Sequence, residues 1–247
     1  MRLKFEFIVT KNKIPLDYRR IFISLFKKAL EQYNTDSKKK YYHENDPIKK
    51  AFTFSVFLDR PKFYKDYIEL KQNKIDLYFS TYSYEIGIDY YNALIKMLNY
   101  AYPLQDDNYL ILKNVASIKE ANIKQDSILI KTMSPILARK HDKNRNYDTY
   151  LLPSQEGFIE EMRNNISVAL ESLDLNDLKE DVQSFELIDI GKGKEVKVLF
   201  YGHKVLGLIG NYFLKGTPRL LEFVLKSGIG SRTSSGFGMF DVEGVSR

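Results

Sequence analysis

Gly228-Ile229-Gly230-Ser231-Arg232-Thr233-Ser234-Ser235-Gly236-Phe237-Gly238 is the stretch on which the reading of this chain turns. Two Gly-hydrophobic-Gly units flank five polar residues, one of them an arginine. An apolar, helix-like run precedes the stretch at 220–225, and a strand-like run follows at 237–242. Glycine reaches positive φ and lets the backbone approach a bulky partner closely. A loop between a helix and a strand presents backbone N–H groups that can cradle phosphate oxygens. Ser231, Arg232, Thr233, Ser234 and Ser235 add donors suited to the same anion. The symmetric spacing of the glycine units against regular elements favours this reading over a flexible glycine-serine turn.

Reading outward from the loop gives an order of elements. Thr217-Pro218 opens the last helix, with Thr217 as N-cap and Pro218 at the first helical position. Before it stand a short apolar run at 205–210 and two strands, 185–190 and 195–201, read as a pair joined across Gly191-Lys192-Gly193. A helix at 155–173 begins after Pro153-Ser154. Residues 136–148 are basic and read as a loop, and 128–133 form a strand that ends at Ser134-Pro135. In the first half, Leu3, Phe5, Phe7 and Val9 alternate as a strand over 2–10. Residues 16–33 carry helical spacing through Ile21, Phe22, Leu25, Phe26, Ala29 and Leu30. Strands follow at 52–58 and 75–81, then a helix at 87–101 and a strand at 110–121. Each half reads β-α-β-β-α-β, the second with an added strand. The expected class is α+β: two tandem ferredoxin-like (RRM-like) domains, 1–123 and 124–247, the second carrying the glycine-rich loop. No sequence repeat relates the halves; they share only element order.

Composition bounds the function. The 247 residues carry a net charge of +6, 44% hydrophobic residues and 14% aromatics, all tyrosine or phenylalanine. That balance favours a polyanionic partner over an acidic small molecule. There is no cysteine, which excludes disulfides and thiolate metal sites and fits a cytoplasmic protein. The three histidines, His43, His141 and His203, lack metal-ligand spacing, so no metal or cofactor is expected. No apolar run approaches the roughly 18 residues needed to cross a bilayer, and charges interrupt the N-terminus where a signal sequence would be apolar. Basic residues cluster at 38–50, at 139–145, at 192–204 and around the glycine loop, whereas acidic ones gather at 171–181. This segregation points to one positive face.

The glycine stretch, together with Lys131-Thr132-Met133-Ser134-Pro135-Ile136 at mid-chain, resembles the CRISPR repeat-cleaving endoribonucleases of the RAMP (repeat-associated mysterious protein) superfamily. Length, tandem ferredoxin-like order and basic character agree along the whole chain. The resemblance implies a protein that binds the repeats of a precursor CRISPR RNA and cuts once in each. The ribose 2′-hydroxyl attacks the adjacent phosphate without a metal, leaving a 2′,3′-cyclic phosphate and a 5′-hydroxyl. Such chemistry needs no protein nucleophile. It needs a base for the 2′-hydroxyl, an acid for the leaving oxygen and a cation for the phosphorane.

Histidine suits the acid and base roles, and His43 lies where the resemblance implies a catalytic histidine, after the first helix in the polar stretch 38–46. Lys49 or Lys50 would stabilise the phosphorane, and Tyr33 would pair with His43, with Tyr41 and Tyr42 as alternatives. Implied RNA contacts are Arg139, Lys140, Lys226, Gly228, Gly230, Ser231, Arg232, Thr233, Ser234, Gly236 and Gly238. His141 reads as an RNA contact or surface residue, with a role as the acid a lesser alternative, and His203 as structural. The partner is repeat RNA. Other effector-complex subunits and a homodimer are compatible with the resemblance, and a non-catalytic RNA-binding subunit is the competing function. A small-molecule or interaction module outside nucleic-acid biology is disfavoured by the basic clusters.

Overall fold

The computed structural model describes residues 1–42, 50–142, 144–145 and 147–243. The first half runs β1 (Arg2–Val9), β2 (Lys13–Pro15), α1 (Arg19–Tyr33), α2 (Thr35–Tyr41), β3 (Phe52–Leu58), β4 (Lys62–Phe63), β5 (Tyr67–Glu69), β6 (Lys74–Thr81), α3 (Tyr84–Ile95), β7 (Ala101–Pro103) and β8 (Tyr109–Ser117). The second half runs β9 (Ser127–Thr132), β10 (Ala138–Asp142), β11 (Tyr147–Leu151), α4 (Phe158–Glu171), β12 (Glu186–Asp189), β13 (Lys194–Phe200), β14 (His203–Ile209), β15 (Asn211–Lys215), α5 (Pro218–Ser227) and β16 (Phe240–Val242).

The main sheet of the first half has the order β3-β6-β1-β8-β7, and that of the second has β12-β15-β9-β16. With the edge strand β7 set aside, both follow the antiparallel ferredoxin-like arrangement, in which the first strand of each unit lies between the third and the fourth. In β1 the alternation works as the sequence implies: Leu3, Phe5, Phe7 and Val9 are buried under the helices. Lys4 and Glu6 point the other way, where Lys4 Nζ lies 2.8 Å from Glu6 and 3.0 Å from Asp76. That leaves the open face of the sheet laced with paired charges. Under α1, the Phe26 ring meets Phe54 (5.3 Å) and Tyr90 (5.4 Å) edge-on. Such pairs add about 0.5–1.5 kcal/mol each beyond area burial. The second sheet buries Ile128, Ile130 and Leu214 against Met162 and Ile166 of α4 and Leu221 and Val224 of α5.

Three expectations are corrected in the second half. Residues 136–148 are not a loop throughout: β10 and β11 form a hairpin in which Arg139 faces Tyr150 and His141 faces Asp148. The strands 185–190 and 195–201 do not pair with each other. β12 pairs with β15, a strand the sequence reading omitted, while β13 pairs with β14 in a separate hairpin. The Gly191-Lys192-Gly193 segment is a crossover, held by the Asp189 carboxylate accepting from the N–H groups of Gly191 (2.9 Å) and Gly193 (3.1 Å). In the first half, α2 is an additional short helix whose N-cap Asn34 side chain accepts from Asp36 N–H at 2.9 Å.

The halves share their cores. Leu137, Phe200, Val205 and Phe237 of the second half pack in the hydrophobic cluster of the first. Tyr82 of the first packs on the second, meeting Phe223 at 5.3 Å. The buried Arg2 crosses the seam to Asp241 (2.6 Å) and the Phe240 carbonyl (3.1 Å).

Candidate nucleic-acid interface

The glycine-rich loop sits in this seam. Helix α5 ends where Gly228 N–H donates to the Val224 carbonyl at 2.8 Å. Beyond it, Ile229 N–H donates to Gly238 O (3.0 Å), Ser231 N–H to Leu137 O (2.8 Å), Gly236 N–H to Thr233 O (3.1 Å) and Gly238 N–H to Pro135 O (2.8 Å). These amides are spent inside the protein, so the expected phosphate cradle of loop N–H groups is not formed by them. The glycines serve protein packing. Gly236 has φ +88°, and a Cβ there would fall 2.8 Å from the Phe54 ring of β3; at Gly238, φ +72°, it would fall 1.9 Å from the Ile229 carbonyl oxygen. From the first half, Arg19 Nε donates to the Gly236 carbonyl (3.1 Å) and Thr53 Oγ1 to the Phe237 carbonyl (2.9 Å). The Arg19 guanidinium also lies 4.8 Å over the Phe237 ring. Ser134 of the Ser-Pro junction accepts from Met239 N–H at 2.9 Å, which ties the two resemblance-bearing motifs together in space.

One loop side chain reaches past the seam into a groove. Arg232 takes a left-handed backbone conformation, φ +58°, and its side chain lines the groove. Its guanidinium donates to Asp148 Oδ2 at 2.7 Å and lies 5.2 Å over the Phe200 ring. Arg139 donates to both Asp148 oxygens (3.0 and 3.2 Å), and His141 Nδ1 lies 2.7 Å from Oδ1. Burial would raise the Asp148 carboxyl, but His141, Arg139 and Arg232 outweigh it and hold the group below the usual carboxylate range. The carboxylate thus fixes two arginines and a histidine at one end of a groove of about 770 Å³, which runs between the β10–β11 and β13–β14 hairpins. Arg139, Lys204 and Arg232 outnumber the one carboxylate in its lining, and Tyr147, Tyr150 and Tyr201 stand among them. A positive groove interleaved with aromatic rings is what single-stranded nucleic acid requires.

The other expected contacts are distributed differently. Lys140 alternates with Arg139 and His141 along β10, which turns it to the opposite face of the hairpin. Lys226 has a side chain only 13% exposed and is paired with Glu222 (2.7 Å) and Glu120 (3.1 Å), so it is a structural cation in place of a phosphate contact. Ser231 is buried; its hydroxyl accepts from Arg139 N–H and donates to Asn165 Oδ1, both at 3.2 Å. Thr233 is buried and Ser234 half-buried in the short turn before Gly236. His203, expected to be structural, is exposed and lines the groove.

Of the expected catalytic group, His43 and Lys49 lie outside the described residues. Tyr33 is half-buried at the end of α1, where its hydroxyl accepts from Asn92 Nδ2 (3.3 Å) and its ring lies beneath Lys96 (4.9 Å). Lys50 lies 4.5 Å over the ring of Tyr42, which Lys27 of α1 also approaches at 5.2 Å. Burial, followed by the neighbouring Lys27 charge, pushes the Lys50 ammonium below the usual lysine range. The Tyr42 hydroxyl accepts from Tyr90 at 3.2 Å, and burial pushes its own titration up. Tyr41 is engaged with Asp89 at 2.6 Å. Tyr33 and Lys50 therefore have separate surroundings, one against α3 and one against Tyr42 and the middle of α1. The sequence reading missed Asp148, Arg19, Lys27 and Tyr201. For the hairpin, the one available signal was Tyr-Asp-Thr-Tyr at 147–150, an alternating run after a polar stretch.

Two ferredoxin-like halves closed through a buried glycine-rich loop agree with the RAMP-like class that the sequence resembles. The family model "CRISPR associated protein Cas6, C-terminal" matches residues 118–242, just over half of the chain. The protein belongs to the Cas6 family, whose members are RNA-binding nucleases of CRISPR RNA processing. Solved structures agree in fold. A Cas6-related protein of Pyrococcus furiosus superposes with a TM-score of 0.84 at 21% identity, over 100% of this chain and 99% of that one. A RAMP protein described as binding different RNA substrates gives 0.82 at 20% identity, over 98% and 99%. A Cas6 product complex gives 0.69 at 15% identity, over 98% of each chain. No curated protein sequence matches. Among the described residues, no helix is long and apolar enough to cross a membrane.

Proposed function

We propose that this chain binds the repeats of a precursor CRISPR RNA along the hairpin groove and cleaves once in each repeat by attack of the ribose 2′-hydroxyl. The products are a 2′,3′-cyclic phosphate and a 5′-hydroxyl, and no metal takes part. The observation that carries the binding half is the Asp148-centred cluster in a chain of the Cas6 family. One carboxylate holds two guanidinium groups at 2.7–3.2 Å in a groove whose walls carry tyrosines. Guanidinium groups pre-set in this way offer their remaining N–H donors to phosphate oxygens.

His43 is assigned the proton transfer, with Tyr33 as its partner and Lys49 or Lys50 facing the phosphorane. The clustering of Lys50 with Lys27 around the Tyr42 ring supports a cationic role, because two neighbouring ammonium groups attract phosphate charge. His43→Ala, assayed on repeat RNA with a chelator present, is expected to lose about 10²- to 10⁴-fold in cleavage rate while still binding. Cleavage at the wild-type rate would remove His43 from the mechanism. A 2′-deoxy substitution at the scissile nucleotide should abolish cutting and leave affinity intact; a cut deoxy substrate would overturn the chemistry. A wild-type protein that binds repeat RNA and never cuts it would be the non-catalytic subunit of an effector complex.

A further inference from the structure

The tip of the β13–β14 hairpin is built from a residue its backbone does not favour. Phe200 pairs with His203, so the turn consists of Tyr201 and Gly202, with φ values of +50° and +77°. Two-residue hairpin turns with both φ positive select Asn, Asp or Gly at the first position, because a Cβ there crowds the following carbonyl. A bulky aromatic in that conformation is an outlier of the kind that accompanies functional contacts. Core packing does not account for it, since Tyr201 is 48% exposed.

The tip is nonetheless held in place. Tyr201 N–H donates to Asp17 Oδ2 at 2.8 Å, which ties the hairpin of the second half to the start of α1 in the first. The Arg20 guanidinium lies over the Tyr201 ring at 4.6 Å, and the Phe200 ring meets it edge-on at 4.7 Å. The ring lines two grooves at once: the one holding Arg139 and Arg232, and a second along α1 that contains Arg20, Lys27 and Tyr102. Arg20 and Lys27 are seven residues apart, about two helical turns, and so share one face of α1 roughly 10 Å apart. Lys27 in turn shares the Tyr42 ring with Lys50.

We propose that Tyr201 is a nucleobase-stacking platform that carries single-stranded RNA from the Arg139–Arg232 groove across the domain seam onto the cationic face of α1. The ring, backed by Arg20, supplies a π-face to a base, and the cations on either side take the flanking phosphates; this division of labour is how sequence-tolerant single-strand sites work. The site rests on the RNA-binding reading above and adds to it a path toward the side of α1 that faces Lys50.

Tyr201→Asn tests it, because asparagine suits the turn and should fold at least as well as tyrosine. The probe is the CRISPR repeat RNA of the chain's own locus, with 2-aminopurine scanned through its unpaired positions. Tyr201→Asn should weaken binding roughly 5- to 150-fold, the range for loss of one stacked base, with the salt dependence unchanged because no phosphate contact is lost. One 2-aminopurine position should be quenched by the wild type and by Tyr201→Phe, and not by Tyr201→Asn. Wild-type affinity and quenching in Tyr201→Asn, while Arg232→Ala still weakens binding, would overturn the platform and leave the RNA-binding reading standing. So would a loss in Tyr201→Phe equal to that in Tyr201→Asn, since the hydroxyl and not the ring would then be responsible. A wild type that does not bind the repeat RNA at all would overturn both.

Discussion

The glycine-rich loop and the hairpin groove meet at Arg232 and otherwise follow opposite rules. In the loop, four glycines and the intervening Ile229 and Phe237 are buried, and the amides of Gly228, Ile229, Ser231, Gly236 and Gly238 donate to carbonyls of the same chain. In the groove, charged and aromatic side chains stand on two hairpins inserted between core strands of the second ferredoxin-like unit. Glycine density therefore marks where backbone meets backbone at the seam between the halves, and the charged and aromatic side chains of the groove lie on the insertions beside it. Tyr201 N–H ties one insertion to Asp17 of the first half, and Arg232 of the loop reaches into the groove to Asp148 of the other.

This contrast predicts effects of different kind and size. The largest falls on the loop. Gly238→Ala would place a methyl group against the Ile229 carbonyl at positive φ, with no flexible side chain to give way. A loss of about 4 kcal/mol or more is expected, a large fraction of an ordinary domain's stability of roughly 5–15 kcal/mol. Chemical denaturation checks it, and an unfolding free energy within about 1 kcal/mol of the wild type would mean that the seam is not built as described. A smaller effect falls on the groove. Because the folded pKa of Asp148 lies below its unfolded value, its stabilising contribution is complete above the ordinary carboxylate pKa of about 4 and is lost as pH falls through the lowered value. The melting temperature of Asp148→Asn should lie about 2–4 °C below wild type at neutral pH, and the gap should close on acidification. A gap that widens in acid would reverse the assigned sign.

Much of the fold was legible because its core strands and long helices carry clean periodicity. Leu3, Phe5, Phe7 and Val9 alternate and are buried, and Ile75, Leu77 and Phe79 do the same in β6. What escaped has a physical reason in each case. Helix α2 is nearly all polar and buries only Ser37 and Tyr41, so no apolar stripe announces it. The β10–β11 hairpin reads as loop because charged residues occupy both of its faces, and it is held by register and by Asp148 more than by burial. The strand pairing of β12 was misread because Gly191 and Gly193 imitate a hairpin turn, whereas the true turn at Tyr201-Gly202 lacks the usual Asn or Asp. For the site, Arg139, Arg232 and His141 could be named from charge clustering. Asp148, which gathers them, could not, because the one acid of β11 acquires meaning only through its cross-strand partners on β10. Lys226 looked equivalent to Arg232 in sequence and differs because Glu120 and Glu222 enclose it.

The central claim is that the loop builds the wall while Arg232 meets the RNA, and the salt dependence of repeat-RNA affinity for Arg232→Ala tests it most directly. The account predicts affinity weakened roughly tenfold, a slope of log K against log salt flattened by about 0.7 for one lost phosphate contact on a single strand, and a melting temperature within about 2–4 °C of wild type. Wild-type affinity with an unchanged slope would contradict it and leave the arginine as one more strut of the seam.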